Sequence, residues 1–76
     1  MNQQTQHQLT IKANDALGTL ERILRVIRHR GGHIESMQMQ TFENNTITMT
    51  LHLTTERSLS TLQNQVAKLE DVITVE

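Results

Sequence analysis

The 76-residue sequence has no cysteine, no proline, no tryptophan and no tyrosine, and Phe42 is its one aromatic residue. Without cysteine there can be no disulfide, no thiolate metal site and no cysteine nucleophile. Neither sign of charge dominates: seven Lys and Arg face eight Asp and Glu, for a formal net charge of −1. A chain so balanced has no strong field to hold a nucleic acid or an anionic membrane. No apolar run approaches the roughly 20 residues of a membrane span. The polar start, MNQQTQHQ, lacks the charged-then-apolar pattern of a signal peptide, so a cytoplasmic location is expected. Hydrophobic residues make up 36% of the chain, against roughly 45–50% (glycine included) in an average globular domain. Leu, Ile, Val and Met must therefore build a thin core with no covalent staple. Domains of this size often need staples or partners, and this one is expected to gain stability from a partner or from a second copy of itself.

What is present is clear periodicity. Residues 1–5 read as a loose segment, and residues 6–76 as a single domain. From Gln6 to Ala13, Leu9, Ile11 and Ala13 alternate with Gln8, Thr10 and Lys12, the period of a half-buried strand. Asn14 to Gly18 reads as a turn, with Asp15 as the expected cap of the helix that follows. Leu20, Ile23, Leu24 and Ile27 then recur at helical spacing, with Arg22, Arg25 and His29 opposite. Glu21 precedes Arg25 by four residues, the order that favours an ion pair. Gly31 and Gly32 stop the helix, one of them in the left-handed conformation.

His33 to Thr41 reads as a second strand whose phase slips between Ile34 and the pair Met37 and Met39. Either Ile34 packs under the helix end or the strand carries a bulge. Met37, Met39 and Met49 are expected to fill the core. A hairpin turn at Glu43-Asn44-Asn45 leads to the cleanest strand, Thr46 to Thr54. Ser58 caps a second helix with the stripe Leu59, Leu62, Val66 and Leu69, broken at Glu70-Asp71, and Val72 to Val75 forms a last strand. Strand, helix, strand, strand, helix, strand predicts an α+β, ferredoxin-like βαββαβ sandwich. Its four-stranded antiparallel sheet would carry both helices on one face and leave a polar face open.

That fold hosts many functions, so the site must decide. An RNA-binding module would place aromatics where Gln8, Thr10, Thr48, Thr50 and His52 stand. A metallochaperone needs Cys-x-x-Cys. No nucleophile and base are paired for catalysis. His29 and His33 are four apart but separated by Gly31-Gly32, so they diverge and no metal site is expected. Arg22, Arg25, Arg28 and Arg30 hold four of the seven cations. They form either a solvated helix face or a docking surface for an acidic partner, with Arg22, Arg25 and Arg28 as the candidates.

The loop Asp15-Ala16-Leu17-Gly18-Thr19-Leu20 either makes a tight turn or lets a carboxylate approach free backbone N–H groups. Asp15-x-x-Gly18-x-Leu20 after a first strand, with the elements in this order, resembles an ACT domain, a small amino-acid-sensing and regulatory module. The run from Leu20 to Gly31, continuing through His33-Ile34-Glu35-Ser36-Met37, resembles the small regulatory subunits of acetolactate synthase. It is closest to the short, single-domain type of the second isozyme of enteric bacteria. Arg57-Ser58 and Lys68-Leu69-x-Asp71-Val72 fit the same subunits.

The resemblance implies a non-catalytic chain that binds and activates a large catalytic subunit. No cofactor is expected in this chain; thiamine diphosphate, FAD and Mg²⁺ would belong to that partner. In longer members two ACT domains pair through an edge strand and the first helix, so a homodimer is expected. Valine binds at their junction, on an Asn-x-x-Gly loop and the start of the second strand. Here Gly18 matches the glycine and Ile34 an isoleucine, while Asp15 and His33 replace asparagines; Leu17 lies within the loop. An Asn amide both donates and accepts, whereas an Asp carboxylate only accepts and repels an effector carboxylate. Weak or absent valine feedback is therefore expected, in agreement with the insensitivity of the second-isozyme type. Two other readings stay open. One is a stand-alone amino-acid sensor regulating another enzyme or a transcription factor. The other is an acylphosphatase-like catalyst, for which the Asp15 loop has the wrong charge.

Overall fold

A computed structural model of the chain describes residues 5–76. The loose start expected at residues 1–5 lies outside the described residues up to position 4, and Thr5 opens the first strand. The elements are β1 (Thr5–Asn14), α1 (Thr19–His29), β2 (Gly32–Thr41), β3 (Thr46–Thr55), α2 (Leu59–Ala67) and β4 (Val72–Val75). They form one antiparallel sheet in the order β2-β3-β1-β4, the expected ferredoxin-like topology.

The core follows from the alternation of the two central strands. Leu9, Ile11 and Ala13 of β1 lie opposite Leu51, Met49 and Ile47 of β3. All six are buried beneath Ile23 and Ile27 of α1 and Leu62 and Val66 of α2. Gln8, Lys12, Gln38, Gln40 and His52 alternate onto the other, exposed face. The sheet is thus covered on one side only.

The phase slip in β2 is a bulge. Ile34 pairs with Leu53 and Ser36 with His52, so Glu35 is the extra residue. The bulge returns Met37 and Met39 to the helix side, opposite Leu51 and Met49. Only Met49 is core, however. Met37 and Met39 are 38% and 46% exposed, against the expectation that they fill the interior. The reason is length: β2 runs for about 33 Å and the 11-residue α1 for only about 16 Å, so the helix cannot cover the whole edge strand.

The caps divide. Ser58 caps α2 as expected, its Oγ accepting from the Thr61 N–H at 3.5 Å. That helix ends at Ala67, so Leu69 packs against the core from the following turn. Asp15 does not cap α1. The cap is Gly18, with φ 81° and no side-chain hydrogen bond. Asp15 stands three residues too early and instead donates its backbone N–H to Asn45 O at 2.8 Å. Gly31, at φ 91°, holds the left-handed position after α1. Glu21 and Arg25 do not form the ion pair that their spacing favours.

Candidate functional site

The loop between β1 and α1 is built from its own backbone. The Ala16 N–H donates to Asn14 O at 2.9 Å, and the Thr19 N–H to Ala16 O at 3.1 Å. This tight path pushes Leu17 into solvent, where its side chain is 98% exposed. Gly18 then turns the chain into α1.

The loop is clamped from a distant part of the chain. Asp71, in the turn before β4, accepts from the Arg22 guanidinium at 2.6 Å and from the Thr19 hydroxyl at 3.1 Å, both through Oδ2. Arg22 also donates to Leu17 O at 3.3 Å. Its guanidinium lies against Gly18, where a Cβ would stand 2.8 Å from Nη1. Sequence reasoning missed Asp71 because its partners lie 49 and 52 residues away, beyond any helical or strand spacing. Arg22, a docking candidate, is therefore already engaged inside the chain.

The candidate effector residues fall into two groups. Asp15, Leu17 and Gly18 follow Asn14, which pairs with Thr46 of β3. His33 and Ile34 open β2, where His33 pairs with Thr54 of the same strand. Eight residues of extended chain separate Thr46 from Thr54, about 27 Å. One copy of the chain does not bring the two groups together.

The arginines of α1 spread around the helix. Arg25 and Arg28 are exposed. Arg30, beyond the helix end, donates to Gln65 Oε1 of α2 at 3.3 Å. Arg25, Val26, His29, Arg30 and Gln65 line a groove of about 460 Å³ between the two helices. The arginine spacing in the sequence pointed to a charged face; that a groove borders it depends on α2. Among the described residues no group of three or more His, Asp or Glu is placed to hold a metal ion. No described helix is long and apolar enough to cross a membrane.

Comparison with known proteins gives this geometry a family. Residues 15–75 match the ACT-domain family model. The chain is 43% identical over 68 residues to the acetolactate synthase isozyme 2 small subunit of Escherichia coli K12, covering 88% of this chain and 78% of that one. The small subunit of Shigella flexneri matches equally. Among solved structures, the ACT domain of the GTP pyrophosphokinase of Chlorobium tepidum superposes with a TM-score of 0.82 at 23% identity, over 96% of each chain. The acetolactate synthase small subunit of Thermotoga maritima superposes with a TM-score of 0.81 at 16% identity, over 95% of this chain and 46% of that one. At those identities the two structures support the fold, and the sequence relatives support the narrower grouping. The chain belongs to the ACT-domain family, among the regulatory small subunits of acetolactate synthase.

Proposed function

We propose that this chain, with residues 6–76 as its one domain, acts in the cytoplasm by binding the thiamine-diphosphate-dependent catalytic subunit of acetolactate synthase and raising its activity. It brings no catalytic group of its own to the reaction. The observation that carries this reading is the 43% identity to a small subunit over 88% of the chain. The physical mechanism is population shift: a subunit that binds the productive arrangement of its partner more tightly increases the share of that arrangement. The test is to purify the catalytic subunit alone, add this chain, and measure acetolactate formation from pyruvate together with complex size. Higher activity and a larger complex are expected. No change in either would overturn the reading.

The chain acts as a homodimer in this proposal. Met37 and Met39 leave apolar surface on the helix side of an unpaired edge strand, and a second copy adding its own β2 would cover it. The same pairing supports an effector site, because Asp15, Leu17 and Gly18 need His33 and Ile34 from another copy. That site responds weakly or not at all to valine, since Asp15 presents a carboxylate to an effector carboxylate. Synthase activity of the assembled complex is expected to stay within about twofold on adding millimolar valine, a change too small for a working feedback site. Strong inhibition would overturn this part. Arg22, Arg25 and Arg28 are the docking candidates carried by sequence.

A further inference from the structure

The groove between α1 and α2 narrows the docking face further. We propose that it seats an acidic segment of the catalytic subunit, an inference that rests on the partner named above. Arg25 and His29 rim the groove and Arg30 closes it beside α2. Among the described residues none of the three has a carboxylate partner. Arg30 is held by the neutral Gln65 amide, which orients the guanidinium without cancelling its charge. Arg22 differs, since Asp71 already neutralises it. Half-buried Val26 supplies an apolar floor for the methylene groups of an Asp or Glu side chain.

Charge and position both favour this occupant. The chain as a whole carries −1, yet two guanidinium groups, Arg25 and Arg30, line this one groove. A positive field so concentrated in a near-neutral protein steers and orients an acidic partner. The groove also lies on the α2 side of α1. At 100° per residue Arg28 is rotated about 200° from both Val26 and Arg30, onto the flank away from α2. A second copy added at the β2 edge would therefore leave the groove open.

The experiment measures binding of the full-length chain to the purified catalytic subunit by biolayer interferometry at several salt concentrations. Arg25→Glu and Arg30→Glu are compared with Lys12→Glu, which makes the same charge change on the open sheet face. Thermal melting and sedimentation first establish that each variant is folded with the same assembly state. Arg25→Glu and Arg30→Glu are expected to weaken binding roughly tenfold or more and to flatten its salt dependence. Lys12→Glu is expected to stay within about threefold of the parent, the scale of a peripheral charge. If the parent chain binds and the groove variants bind equally well, the groove proposal falls and the subunit reading stands. An effect of Lys12→Glu as large as that of Arg25→Glu also overturns it. If the parent chain does not bind at all, it is the subunit reading that fails.

Discussion

Gly31 and Gly32 are neighbours, yet each is glycine for a different reason. Gly31 sits at φ 91°, a conformation that L side chains avoid because Cβ crowds the carbonyl. Gly32 is buried where β2 leaves the helix, and the obstacle there is space. A Cβ would meet Ile27 Cγ2 at 2.7 Å, the Ile27 carbonyl oxygen at 3.0 Å and Leu62 Cδ1 at 3.1 Å. The carbonyl belongs to the backbone of α1 and cannot swing away. Gly32→Ala is therefore expected to destabilise the fold by about 1–3 kcal/mol, the usual cost of overpacking. Urea unfolding checks this, and an unchanged midpoint would contradict it. The Arg22–Asp71 pair is a different kind of contact. Its arginine side chain is half exposed, so its contribution to global stability is small. Its consequence is local, in tying the loop before α1 to the turn before β4.

At the scale of elements, the two helices start by different means. Ser58 presents a hydroxyl to the Thr61 N–H, and Ser58→Ala is expected to cost about 1 kcal/mol. A fall in melting temperature of several degrees would show it. The first helix starts at a left-handed glycine without a side-chain cap, and its first turn is held by Asp71 from elsewhere in the chain. β2 shows how one residue controls an element. Without the extra residue at Glu35, Met37 and Met39 would face the polar side of the sheet, because the side-chain period is two. The bulge keeps both methionines on the side of the helices, where a partner strand with its own helix would cover them.

For the whole molecule, the consequence is an unfinished edge. β2 is about twice as long as α1, so one end of β2 has no layer over it. Met39→Glu places a charge on this surface and is expected to convert a dimer at micromolar concentration into monomer, while the buried core opposite stays intact. Analytical ultracentrifugation reads the result. A variant that remains dimeric would remove the β2 edge from the interface. The thin core inferred from composition thus has a location: the shortage of cover falls on one strand and not evenly over the fold.

Much of this protein was legible in its sequence. The alternation of Leu9, Ile11 and Ala13, the helical spacing of Ile23 and Ile27, the slip after Ile34 and the hydroxyl at Ser58 are local signals. Local geometry fixes them, because side-chain direction along a strand or helix depends only on the backbone period. The family was legible too, through the run from Leu20 to Met37. Tertiary structure alone decided the rest. Met37 and Met39 have the right parity for a core, but their exposure depends on where α1 ends above the sheet. Arg22 has the spacing of a surface cation, but Asp71 reaches it only after the chain has crossed the sheet and returned. Asp15 and His33 stand 18 positions apart in sequence, yet the antiparallel register sends them to opposite ends of β3. Periodicity states which way a residue points; only the packed chain determines what lies in that direction.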